Sequence, residues 1–200
     1  MSEAIMLAPG KGHRIKGGAL DATVKSTMDA PALTSSFEMI IPPGYDVGAH
    51  VHAHGEEIFY VVEGQLDILA FEPLDRTQPD WHQWESRSGR RFLHGGPGAF
   101  MWVPENTPHA FGNQTDKPVK MFFQSSVPGG HENYFEELMG LLRRSDGHPD
   151  PKDIVALRRR YDIEQLTPLG TGRPPGAGAS APVSGSAGAP VDPAHHQHHK

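Results

Sequence analysis

Up to Pro128, apolar and polar residues alternate in short runs with a period of two, and beyond it the spacing becomes helical. The first period belongs to strands half-buried in a sheet, the second to helices that bury one stripe. LDATVKS and LTSSFEMII read as strands, the second with Phe37, Met39 and Ile41 on one face and Ser36, Glu38 and Ile40 on the other. Pro42, Pro43 and Gly44 end it in a turn. EEIFYVVE follows, with Glu57, Phe59 and Val61 on one face, and QLDILAF, FMWVP, HAFGN and KPVKMFFQSS are further short strands. Such strands, bounded by Gly and Pro with no helix between them, predict an all-β, antiparallel sandwich or small barrel.

After Pro128, HENYFEELMGLLRR sets Phe135, Leu138, Met139 and Leu142 at i, i+3, i+4 and i+7, a stripe that would cover one end or face of the barrel. DPKDIVALRRRYDI opens on Asp150 as N-cap, with Pro151 at the first helical position and Asp153 three past the cap. Three segments break the pattern. Residues 1–18, rich in Gly and Lys, are expected to form an arm across the barrel or a neighbouring subunit. Residues 72–97 are irregular and carry Trp81, His82 and Trp84; a surface hairpin with its aromatics on the barrel is favoured over a lid at a cavity mouth. Residues 171–200 are mostly Gly, Pro, Ala and Ser, too little apolar surface to offset the entropy of ordering. The expected organisation is one unit over residues 1–170 and a disordered tail, whose terminal HHQHHK stays outside the functional argument.

Composition narrows the function classes. Two hundred residues, 36% of them hydrophobic, suffice for one domain with a core. A net charge of -6 argues against a nucleic-acid footprint. Arg143, Arg144 and Arg158–Arg160 cluster at the ends of predicted helices, where positive charge complements the dipole and meets solvent; that reading is favoured over an anion site. The absence of cysteine removes disulfides, thiolate ligands and cysteine nucleophiles. No stretch approaches a membrane span and the N-terminus lacks a signal-peptide pattern, so a cytoplasmic location is expected.

The chemistry concentrates in Gly44–Gly64, GYDVGAHVHAHGEEIFYVVEG. His50 and His52 are two apart, so their imidazoles leave one face of an extended segment. Glu57, reached after the chain turns at Gly55, can return to the same spot on a neighbouring strand. Gly98–Asn113, GAFMWVPENTPHAFGN, brings His109 just past a turn framed by Pro104 and Pro108. Three neutral imidazoles and one carboxylate suit one divalent Fe, Mn, Ni, Co or Zn ion. His54 sits beside Gly55, which suits the rim of such a site, and Glu56 points away from Glu57. No G-x-S-x-G elbow, P-loop or Rossmann glycine pattern competes.

Written as G-x5-H-x-H-x4-E-x6-G and G-x5-P-x-N-x2-H-x3-N, the two stretches resemble the signature motifs of the cupin superfamily. Asn106 stands where that pattern usually has Gly, and Asn is the non-Gly residue that best tolerates a left-handed turn. The run PGG-x-E-x-YF-x-EL is similar to the tail of bacterial quercetin-dioxygenase-like cupins. The resemblance implies a double-stranded β-helix, or jelly-roll barrel, with a metal ion on His50, His52, Glu57 and His109. It also implies O2-dependent cleavage or oxygenation of an aromatic or enolic small molecule. Glu57 would stay bound, or release to act as the base for a substrate hydroxyl. Two other readings share the site: an isomerase or polyketide-type cyclase using the ion as a Lewis acid, and a non-catalytic small-molecule binder. Phe37, Met39, Phe59, Phe111 and Phe122 would line a substrate pocket, unless they simply fill the barrel. A homodimer is expected, through the arm and an open sheet edge.

Overall fold

In the computed structural model, which describes residues 4–28 and 33–168, the alternating runs become strands of two facing antiparallel sheets. The strands are β1 His13–Gly17, β2 Leu20–Ser26, β3 Ser35–Ile41, β4 His50–Val51, β5 Glu57–Glu63, β6 Leu66–Ala70, β7 Leu93–Gly95, β8 Phe100–Val103, β9 His109–Gly112 and β10 Val119–Ser125. Two helices, α1 His131–Arg144 and α2 Pro151–Arg160, then lead to β11 Glu164–Gln165. One sheet has the order β1-β2-β3-β10-β5-β8 and the other β11-β4-β9-β6-β7. Chain neighbours therefore often lie in different sheets, as a jelly roll requires.

Alternation decides what lies between the sheets. Phe37, Met39 and Ile41 of β3, and Phe59 and Val61 of β5, are buried in one core. Register fixes the contribution of β10: Phe123 pairs with Phe37 on one side and Phe59 on the other, and stacks on both rings at 5.4 and 4.9 Å. Burying a phenylalanine stabilises by roughly 1.5–3 kcal/mol, so this stack is a main support of the sandwich. Phe122, expected in the pocket, is therefore displaced by one position, because β10 presents its odd-numbered residues inward and leaves Phe122 half-buried outside. The other four expected lining residues, Phe37, Met39, Phe59 and Phe111, are all interior.

Of the expected N-terminal arm, His13–Gly17 is not an arm but strand β1, paired with β2 from His13↔Val24 to Gly17↔Leu20. The 72–97 segment packs its aromatics as the hairpin reading holds, although WHQWES contains a single 3-10 turn, Trp81–Gln83, and no strand. Trp81 and Trp84 are buried with Ala49, Leu69, Phe71 and Ala110 on the outer face of the second sheet. Both faces of β9 are thus covered, which is why all four of its residues are buried. The expected disordered tail, residues 171–200, lies outside the described residues.

The helices close one side. Tyr134, Phe135 and Met139 of α1 are buried, and Phe135 meets Phe37 edge-on at 5.3 Å. Asp150 caps α2 by accepting from the Lys152 N–H at 2.8 Å, with Pro151 in the first turn. Arg158 departs from the sequence reading: its neighbours Arg159 and Arg160 are exposed, but Arg158 is turned inward at 4% exposure.

Candidate metal centre

His50 and His109 face each other across adjacent strands as register partners of β4 and β9, with ring centroids 4.2 Å apart. His52 follows β4, and Glu57 opens β5 in the opposite sheet. Gly55 makes that crossing possible: it has φ +81, and a Cβ there would sit 2.7 Å from the Ser126 carbonyl oxygen. Asn106, at φ 60, shapes the turn before His109 as expected of an asparagine in the left-handed region. One donor atom from each of His50, His52, Glu57 and His109 lies within 4.8 Å of every other. All four residues are at most 5% exposed.

The hydrogen bonds around the rings decide which nitrogen is available. His50 Nδ1 lies 2.9 Å from the Gly48 carbonyl, His52 Nδ1 2.8 Å from that of Asp162, and His109 Nδ1 3.0 Å from that of Thr107. A carbonyl only accepts, so each Nδ1 must carry the proton and each neutral ring turns a bare Nε2 inward. His52 Nε2, His109 Nε2 and Glu57 Oε2 are buried without a hydrogen-bond partner, although His109 Nε2 and Glu57 Oε2 are 2.8 Å apart. Two lone pairs at that distance repel unless a positive centre lies between them. The cluster fits a single divalent metal ion, and the carbonyl-held rings are the orientation that such an ion demands.

Burial and neighbouring charge act in different directions on the groups of the cluster. Burial drives the His50 imidazole well below its ordinary range, and His109 and Arg158 push in the same direction. Burial opposes the charge on Glu57, but His52 and His109 outweigh it and hold the carboxyl well below the usual range. For His52 burial is again the largest single effect, yet the Glu57 carboxylate overcomes it and raises the ring.

The structure brings together all four residues expected from the sequence. His54 is at the rim: its side chain is exposed and its backbone N–H donates to Asp162 Oδ2 at 2.8 Å. Glu56 is exposed, accepting from Trp102 Nε1 at 2.9 Å. Phe59 flanks the cluster, 6.1 Å from the His109 ring. Two neighbours escaped the sequence reading. His131, at the first position of α1, is buried with Nε2 3.3 Å from Glu57 Oε1, and burial takes it down to about 4. Arg158 is the other. Nothing in a helical period marks a polar residue as inward-facing, so neither could be found from spacing.

Comparison with known proteins bears on the family. The family model for Cupin matches residues 25–144. No curated protein matches the chain. Similar solved structures include oxalate decarboxylase from Bacillus subtilis at pH 4.6, 16% identical at a TM-score of 0.41, over 56% of this chain and 26% of that one. A sugar phosphate isomerase of the cupin superfamily from Silicibacter pomeroyi is 18% identical at a TM-score of 0.39, over 54% of this chain and 59% of that one. A formate complex of Lactobacillus farciminis oxalate decarboxylase is 19% identical at a TM-score of 0.40, over 58% of this chain and 31% of that one. The chain spans about a quarter of the length of the Bacillus subtilis protein. With more than half of its own length matched by the family model, and both motifs folded onto one four-residue cluster, the chain belongs to the cupin family.

Proposed function

We propose that this protein is a metal-dependent oxygenase acting on an aromatic or enolic small organic molecule. The observation that carries the reading is the convergence of three Nε2 lone pairs and one carboxylate within 4.8 Å, inside a sandwich lined by aromatic rings. Four protein donors leave open positions on an ion that accepts five or six ligands. When bound, the ion would supply Lewis acidity to a substrate oxygen and a place for O2 beside it. His50, His52 and His109 would hold it, each ring kept in register by its backbone carbonyl.

Glu57 has the second role. Its Oε1 faces both His52 Nε2 and His131 Nε2 at 3.3 Å, so the carboxylate is oriented from two sides. Released from the ion, it would accept the proton of a substrate hydroxyl. Phe59 and Phe111, with ring centroids 5.6 Å apart, would form the apolar side of the site and exclude water from the reacting oxygen. The similarity of the PGGHENYFEEL run to the tail of quercetin-dioxygenase-like cupins supports the same reading.

The test is oxygen uptake by protein loaded in turn with Fe, Mn, Ni and Co, using quercetin as the first flavonol probe. Substrate-dependent uptake that His52→Ala abolishes is the expected result. Turnover that continues without O2 would replace the oxygenase by Lewis-acid isomerisation or cyclisation.

A further inference from the structure

Arg158 is 4% exposed, and no ion pair to it is found among the described residues. Its Nη1 donates to the Val47 carbonyl at 3.3 Å, while its Nε has no hydrogen-bond partner. Val47 lies three residues before His50, and the turn after Arg158 returns to the same strand, since β11 pairs with β4 at His50 and Val51. The guanidinium is close enough for its charge to act on His50, His131, Tyr45 and Tyr134. It therefore stands beside the cluster, on the side where β11 joins β4. An uncompensated buried cation is strongly destabilising, and one carbonyl is a poor substitute for an anion. A divalent ion with one carboxylate ligand and three neutral imidazoles already carries a single positive charge, and Arg158 adds a second. Both charges call for a negatively charged occupant.

We propose that Arg158 is the receptor for a carboxylate group on the substrate, gripped by the free Nε edge of the guanidinium while another oxygen of the same molecule reaches the metal centre. The planar fork suits a carboxylate held through two parallel hydrogen bonds. This inference rests on the reading of the four-residue cluster as the substrate's metal centre. It narrows the substrate class to aromatic or enolic carboxylates.

The experiment is a titration with 4-fluorobenzoate followed by fluorine NMR, with neutral 4-fluorobenzamide as control, on metal-stripped and zinc-loaded protein. Saturable binding of the carboxylate but not the amide is expected in both forms. Arg158→Met should weaken it at least tenfold, with partial recovery in Arg158→Lys. Because Met replaces an unpaired charge by an apolar chain of similar length, the variant should melt no lower than the wild type. Equal binding by wild type and Arg158→Met overturns the proposal, as does binding that appears only with zinc and ignores Arg158. Should the Met variant fail to fold, the wild type decides alone: the carboxylate must raise its melting temperature and the amide must not, and equal shifts overturn the inference. The metal-stripped arm keeps this outcome separate from the oxygenase reading, which the oxygen-uptake measurement tests.

Discussion

At the level of single residues, His52 is tied from both ends: Nδ1 to the Asp162 carbonyl, Nε2 to the cluster. His52→Ala should therefore empty the site and not merely weaken it. Elemental analysis of protein lacking residues 171–200, so that the terminal histidines do not contribute, is expected to fall from near-stoichiometric metal to background. Phe122 and Phe123 make a second residue-scale comparison, because they are adjacent and identical in chemistry, yet one is half-buried and the other buried. Phe123→Ala removes the ring between Phe37 and Phe59 and should cost about 3–5 kcal/mol in urea unfolding. Phe122→Ala should cost well under half of that. The parity that separates them was legible in principle: β3 and β5 put Phe37 and Phe59 inward, and pairing with either strand would have selected Phe123. Single-strand alternation lacks that information, because it gives two faces without saying which is inside.

At the level of elements, strands and helices followed their periods closely, and Asp150 and Pro151 marked the start of α2 as chemistry requires. The 72–97 segment is where period failed. Its burial comes from two indoles and a carboxylate network, not from alternation. Asp67 on β6 is buried and faces His82 Nε2 at 3.2 Å and His94 Nδ1, while Asp80 faces His82 Nδ1 at 3.1 Å and the His82 ring stacks on Trp81 at 3.7 Å. Asp46 accepts from Trp81 Nε1 at 2.9 Å. Burial works against the charged form of His82, but the Asp67 hydrogen bond, then the charges of Asp46, Asp67 and Asp80, raise it above its ordinary value of 6.5. A raised imidazole stabilises fully below that ordinary value, and the contribution disappears as pH climbs through the folded value. Proteolytic nicking within residues 72–97 should accordingly be faster at about pH 9 than at about pH 6. His82→Gln should remove most of that difference.

At the level of the whole molecule, the two cupin motifs were legible because each is a local pattern, whereas His131 and Arg158 enter from helices far along the chain and only the fold brings them near. The centre joins β4, β5 and β9, so loading it should stabilise the molecule as a unit. At one hundred times the dissociation constant, metal should add about 2.7 kcal/mol, read as a rise in melting temperature that chelation reverses. Among the described residues β8 is an edge strand, with Phe100 and Trp102 exposed at 58% and 52%, and the homodimer expected from the sequence would use it. Sedimentation should show a dimer that Trp102→Lys dissociates.

The hydrogen bond from His52 to the Asp162 carbonyl also sets a timetable for biosynthesis. All four donor side chains have left the ribosome once His109 emerges, yet the partner that aims His52 arrives more than fifty residues later. A nascent chain halted between those points would carry every ligand and still grip its ion weakly. Metal capture would thus be a late event in the life of the polypeptide, decided after α2 has closed.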